Sequence, residues 1–482
     1  MTDSARDDSS DAPAPRQSPG LGARLGRAPL AFIQYLNQEA DGCGLSALRV
    51  GLGIILCTSA LRFLFKGWVE EIYVAPRFHF TYFGFEWVKP WPEPWMSLHV
   101  GALALFGACI ALGLFTRWAA ACYFLLFSYA ELIEKAAYLN HYYLVSILVL
   151  FLVFVPADVH FSLGARLRGG RIGSGAAELG RLGRVTNGHY ALFRAQLAIV
   201  YLYAGLAKLN SDWLFRAEPI HTWLRAYSEL PLLGPWLNEP FIAFAVSYFG
   251  ALFDLTIPFA ISWPRSRPYA IGLALVFHLS ISFLFPVGVF SYVMLIGLTS
   301  FLPPAWPRLV YEYFRGPASR VERRRAAVKS RPQNLLWIGL ACFHLGIQVL
   351  IPLRFLLYPG HVNWTEQGFR FSWRVMLLEK AGHVEFHVLR PRTGEEFLVF
   401  PRDELTAIQR KQMAVEADMI HEYALHLANL YRREPGEVIE VRADSFVAWN
   451  GRPSQRFIDP TTDLAAIPRS LHALPFILPA PP

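Results

Sequence analysis

The chain has 482 residues, of which 54% are hydrophobic, 15% aromatic and only 17% charged. These values exclude an ordinary soluble enzyme and predict a polytopic α-helical membrane protein with one soluble portion. The formal charge of +8 does not point to nucleic acid, because the basic residues fall in short connections between apolar runs and form no single stripe.

In chain order, the first forty residues are mostly polar and rich in Ser, Asp, Ala, Pro, Gly and Arg, so residues 1–40 read as a disordered cytoplasmic arm. No cleavable signal precedes the first apolar run, which reads as a retained span. Runs long enough to cross a bilayer lie near 45–65, 97–115, 118–137, 142–156, 189–207, 240–262, 269–285, 287–303 and 335–357, about nine spans within residues 41–357. The seventh and eighth are separated only by Pro286 and Gly288.

Alternate connections carry Arg16, Arg24 and Arg27, then Arg117, then Arg166, Arg168, Arg171, Arg181 and Arg184, then Arg265 and Arg267. The densest holds Arg308, Arg315, Arg320, Arg323, Arg324, Arg325, Lys329 and Arg331. Placing these in the cytoplasm puts the N-terminus inside and everything after residue 358 outside.

Past Tyr358 the pattern becomes mixed and polar. Residues 384–400 alternate around a turn at 391–394, residues 406–431 have helical spacing, and 438–449 read as another strand. An extracytoplasmic α+β domain over 358–470 follows, with an apolar, Pro-rich tail at 471–482. The five cysteines, Cys43, Cys57, Cys109, Cys122 and Cys342, lie in or beside apolar runs, which leaves no disulfide framework and no CxxC-type metal site.

Four polar groups stand out against the apolar runs. Lys208 ends the stretch YLYAGLAK, where lost hydration disfavours a charged amine; the alternative is an anchoring lysine at a helix end. Asn140 and His141 join two spans on the same outer face, as active groups or as a simple turn. His278 sits halfway along a span near Ser282, Ser291 and Tyr292, where a polar ring needs a partner or a cavity. Asp254 is a carboxylate within a span, either a counter-charge for Arg194 or a proton-handling group. Asn210, Ser211 and Asp212 read as helix punctuation. A base with imidazoles in an aromatic cavity suits deprotonation of a lipophilic weak acid entering from the bilayer.

At these residues the chain resembles the vitamin K-dependent γ-glutamyl carboxylase family, including bacterial members with the horizontally transferred transmembrane (HTTM) domain. The resemblance rests on 140–144 (NHYYL), 192–213 (LFRAQLAIVYLYAGLAKLNSDW), 277–278 (FH) with 288–294 (GVFSYVM), 304–308 (PAWPR), 363–365 (NWT) with 371–373 (FSW), and 456–460 (RFIDP). It implies that Lys208 deprotonates reduced vitamin K, a hydroquinone, and that dioxygen then converts the anion through an alkoxide to the epoxide. The alkoxide removes a γ-proton from a peptide glutamate, and the carbanion takes up CO2. His141 assists that second half, Asn140 positions the reacting groups, and no metal is required. Arg194, His278, Phe290, Tyr292 and Trp373 are the expected quinol-binding residues, and the partners are the lipid bilayer, the quinol and a glutamate-containing protein or peptide.

The chain departs from the animal enzymes in places. Ala207 stands where they have the first of two lysines, no cysteine follows Cys342 to form their interdomain disulfide, and 374–382 differs. The Arg-, Ala- and Pro-rich composition reads as bacterial, which implies an inner-membrane protein using menaquinol. Two other readings stay open: quinol epoxidation without glutamate carboxylation, and a non-catalytic quinone-binding or transport protein.

Overall fold

A computed structural model of the chain describes residues 31–167, 183–285, 287–315 and 335–482. The N-terminal arm as far as residue 30, Pro286 and much of the basic connection after Arg315 fall outside them.

The membrane region is built from α1 (Cys43–Phe65), α2 (Trp95–Leu112), α3 (Thr116–Ile133), α4 (Asn140–Phe154), α5 (Asn187–Ala207), the short α6 (Ser211–Phe215), α7 (Pro240–Ser262), α8 (Arg267–Leu284), α9 (Phe290–Leu298), α10 (Trp306–Arg315) and α11 (Leu335–Leu350). Among the described residues six helices are long and apolar enough to cross a membrane, or seven if one bent pair counts as a span. The chain is thus an integral membrane protein, and the expected nine spans are not reproduced. The shortfall has identifiable causes. α3 carries Arg117 and Glu131, and α4 has only 15 residues, about 22 Å of rise against a hydrocarbon thickness of about 30 Å. The run around 287–303 ends in a bend of 90° into α10. That helix exposes Leu309, Val310, Tyr313 and Phe314 on an amphipathic cylinder, the form of a helix lying along an interface.

At the end of the bundle carrying Arg117, Arg166 and Arg308, β1 (Glu39–Asp41) pairs antiparallel with β2 (Arg184–Thr186). Arg49, fully buried on α1, fastens that end. Its guanidinium donates to the carbonyls of Ala157 (3.0 Å), Ala111 (2.9 Å), Phe161 (2.8 Å), His160 (3.3 Å) and Ile110, which close α2 and the chain after α4. Helix ends leave carbonyls without intrahelical partners, and one five-donor fork serves the end of α2 together with the loop that follows α4.

The opposite end carries the C-terminal domain, an antiparallel sheet ordered β4-β3-β5-β6 from β3 (Lys380–Arg390), β4 (Glu395–Val399), β5 (Glu440–Trp449) and β6 (Gln455–Arg456). Val384, Phe386 and Val388 share one buried side of the sheet with Val441, Ala443 and Val447, as period-two alternation requires. The helix expected over 406–431 is two helices, α12 (Ala407–Met413) and α13 (Ala417–Tyr431), interrupted where Glu416 turns extended. Thr406 caps α12, and α13 buries Ile420, Tyr423, Ala424 and Leu427 against the sheet. The tail belongs to this domain: Phe476 is buried in its core, and the Leu478 carbonyl accepts from the indole of Trp364 at 2.8 Å.

Candidate active site

Lys208 follows the last residue of α5, and a close helix crossing supplies its partner. Gly205 makes the crossing possible, since a side chain there would meet Leu255 of α7 at 2.8 Å. Asp254 precedes Leu255, and the Lys208 amine donates to its Oδ2 at 2.8 Å. The amine also reaches the carbonyls of Ala204 (3.3 Å) and Val375 (3.4 Å), with the Trp213 ring 5.2 Å away. Both members of the pair are buried, at 6% and 5% exposure, where a charge persists only if paired and hydrogen-bonded.

This corrects the expected Asp254–Arg194 pair. Counting depth from helix ends puts Asp254 roughly 21 Å into α7 and Arg194 roughly 21 Å from Lys208. However, the first half of α7 rises past the end of α5. Trp213 donates from its indole to the Ser247 carbonyl at 2.7 Å, and Tyr248 donates to the Leu214 carbonyl at 2.6 Å. That overlap brings Asp254 up to the level of Lys208. Arg194 instead donates to the Ser300 carbonyl at 2.8 Å and lies 5.3 Å from the Tyr190 ring, away from the cavity.

The pair opens into an apolar cavity of about 250 Å³ lined by Tyr201, Phe277, His278, Phe290, Met294 and Met376, among others. The Tyr201 hydroxyl lies 2.6 Å from His278 Nε2, and Phe253 stacks on Phe277 at 3.9 Å. Nδ1 of the buried His278 has no partner among the described residues. Val246, Phe249, Leu273 and Val276, which line the cavity between α7 and α8, are also exposed on the bundle's apolar flank. The volume falls below the roughly 300–1,000 Å³ of sites that enclose a whole ligand, and so suits a ring system whose tail remains in lipid. Two further expected quinol-binding residues lie elsewhere. Tyr292 is half exposed, 3.4 Å from the Ser282 hydroxyl, and Trp373 is buried on Tyr143 with ring centroids 4.9 Å apart.

His141 lies at the start of α4. Its ring is 6.1 Å from Phe290, which is itself 6.0 Å from His278, so one phenyl ring separates the two imidazoles. Among the described residues the His141 ring makes no hydrogen bond, and Nε2 faces Gly288, whose left-handed φ of +58° suits glycine. Asn140 accepts from the Tyr138 hydroxyl at 2.9 Å and donates to the Arg374 carbonyl at 3.1 Å.

A strap of irregular backbone, residues 366–379, joins these groups. Its Arg374 carbonyl receives Asn140, its Val375 carbonyl receives Lys208, and its Phe371 N–H donates to the Tyr138 hydroxyl at 2.8 Å. Glu366, Phe371, Trp373 and Met376 all adopt left-handed φ, a costly conformation for non-glycine residues that persists only where surrounding contacts hold it. Nothing in the strap's composition marks it as a cavity wall, so only the folded chain reveals it. Among the described residues no cluster of His, Cys, Asp or Glu could hold a metal.

Asp212, read as helix punctuation, does more than that. Asn210 caps α6, whereas Asp212 forms a two-pronged ion pair with Arg452 of the C-terminal domain (2.7 and 2.9 Å) and accepts from Asn450 at 3.0 Å. Burial opposes its ionisation, but the Arg452 and Asn450 hydrogen bonds outweigh burial and hold the carboxyl below the usual range. A lowered folded value stabilises above the ordinary Asp pKa of about 3.9, and this stabilisation is lost as pH falls through the folded value. Asp212→Asn should therefore lower the melting temperature at pH 7, and the gap to wild type should narrow as pH falls below the ordinary Asp value of about 3.9; a gap that stays constant on acidification would contradict the assignment.

This is a membrane helix bundle with an amine–carboxylate pair in a lipid-side cavity, capped by an α+β domain. Residues 37–306 match the HTTM domain, and residues 333–482 match the lumenal domain of vitamin K-dependent gamma-carboxylase. The chain belongs to the vitamin K-dependent gamma-carboxylase family. No solved structure matches it.

Proposed function

We propose that the chain couples oxygenation of a reduced naphthoquinone, vitamin K hydroquinone or menaquinol, to γ-carboxylation of a protein glutamate. The observation that carries this reading is the Lys208–Asp254 pair, buried in an apolar cavity that it shares with His278, whose Nδ1 has no partner among the described residues. His278 and the Phe277 and Phe290 rings would hold the quinol head, with Nδ1 available to one of its oxygens. The Lys208–Asp254 pair is neutral overall, and on taking the quinol proton it becomes a cation beside the anion it has made. Which of the two atoms carries that proton is a property of the coupled pair. Oxidised by dioxygen, the quinol supplies a base stronger than any side chain. His141 and Asn140, one phenyl ring away, would serve the glutamate and CO2.

The basic connections support an N-terminus in the cytoplasm of a bacterial inner membrane, with the C-terminal domain outside. The test uses purified protein, vitamin K hydroquinone, air, labelled bicarbonate and a glutamyl peptide. His141→Ala should leave epoxide formation within about threefold of wild type and lower label incorporation by about 10²-fold or more. Equal loss of both would remove His141 from the second half, and no epoxide from folded wild type would end the reading.

A further inference from the structure

A second cavity, of about 580 Å³, lies between the bundle and the C-terminal domain. Its walls hold four cationic side chains, Lys135, Arg354, Arg370 and Arg469, against two carboxylates, Glu366 and Asp418. Three of the cations are neutralised locally. Lys135 pairs with Asp418 (3.0 Å) and Glu422 (2.9 Å), Arg370 with Asp418 (3.0 Å) and Glu416, and Arg469 with Glu422 (3.1 Å) and Glu86 (3.3 Å). Burial opposes ionisation of Asp418, yet Arg370 and Lys135 hold it well below the usual range.

Arg354 differs. Among the described residues it has no carboxylate within ion-pair distance; its guanidinium donates to the Arg370 carbonyl and lies 5.9 Å from the centre of the Phe371 ring. A planar fork left without an anion in a cavity wall is the group that binds a carboxylate in two-pronged fashion.

The position of this cavity adds a second observation. Phe371 lines it, packs on Tyr138 at 4.9 Å, and donates its N–H to the Tyr138 hydroxyl, which in turn donates to Asn140. On the other side His141 packs toward Phe290 in the wall of the apolar cavity. Asn140 and His141 therefore stand in the partition between a charged cavity and an apolar one.

We infer that the junction cavity receives an extended, glutamate-bearing peptide segment, with Arg354 as the cation that holds a carboxylate one layer from Asn140. This rests on the proposed glutamate chemistry and adds where the peptide sits and what selects it. A peptide fits better than a lipid headgroup, because the walls come from both domains and the exposed rim residues Phe83, Phe85 and Leu471 offer aromatic and aliphatic contacts to side chains.

The test is fluorescence anisotropy with the full chain in nanodiscs of neutral phosphatidylcholine, without quinol, using a blocked peptide with two glutamates and its glutamine twin. Wild type should prefer the glutamate peptide by about tenfold or more, the scale of one charge-assisted contact. Arg354→Gln should bring the preference near unity, and Arg354→Lys should be intermediate. Leu471→Glu, at an exposed position, should weaken the glutamate peptide several-fold and does not depend on the Arg354 variants folding. Equal binding of both peptides by wild type overturns the inference, as does an undiminished preference in folded Arg354→Gln. Displacement of the peptide by anionic phosphatidylglycerol at a tenth of the nanodisc lipid assigns the cavity to headgroups and also overturns it. Peptide preference without epoxide under quinol and air leaves this site standing and removes the proposed chemistry; epoxide without peptide preference does the reverse.

Discussion

If the proposed chemistry holds, Lys208→Ala should lower epoxide formation from vitamin K hydroquinone by about 10²–10⁴-fold, the range supplied by a positioned base. The difficulty with this variant is that it also breaks a buried pair. Asp254 is left without its 2.8 Å partner, and removing one member of a buried ion pair costs about 3–5 kcal/mol unless the carboxyl takes up a proton. A double variant separates the two effects. Lys208→Met with Asp254→Asn removes both charges, so it should recover most of the thermal stability lost in the single variant yet remain inactive. Asp254→Asn alone should also be impaired, because the amine loses the partner that positions it. If the double variant made epoxide at more than about a tenth of the wild-type rate, the pair would not be the base.

The largest loss of stability is expected at the other end of the bundle. Arg49→Met leaves five carbonyl acceptors without their donor around a side chain that is itself fully buried. Each buried acceptor so abandoned costs about 1–3 kcal/mol before relaxation, and the sum should exceed about 4 kcal/mol. That corresponds to a fall in melting temperature on the order of 10 °C and a much lower yield of monodisperse protein. Arg49→Lys, with a single amine in place of the fork, should fall between. Wild-type yield and melting behaviour from Arg49→Met would show that water or backbone adjustment satisfies those carbonyls.

The parts of this site that the sequence reveals are those governed by local rules. Lys208 and His141 stand out because an ionisable group among apolar residues is costly, and the alternation of basic connections puts both on one face. The β3–β4 hairpin shows through its alternation and its turn, where Gly394 takes φ +73°. Non-local geometry is where the reading stops. Asp254 finds Lys208 because α7 overshoots α5, and nothing in either helix encodes that offset. Arg49 is not singled out by its sequence context, and its role emerges only where carbonyls from the end of α2 and from the loop after α4 converge on it. The span count fails where α4 is short and where the chain turns by 90° into α10.

The strap gives the C-terminal domain a status beyond that of an attached receptor. Val375 and Met376 form part of the wall of the apolar cavity, and the Val375 carbonyl touches the lysine amine. Without residues 366–379 that chamber would open to water, and the low dielectric around the buried Lys208–Asp254 pair would be lost. The boundary between the bundle and the C-terminal domain therefore cannot be drawn at the membrane surface. A chimera that joins this bundle to a related outer domain inherits a working chamber only if the seam falls beyond residue 379, so that the bundle keeps its own ceiling.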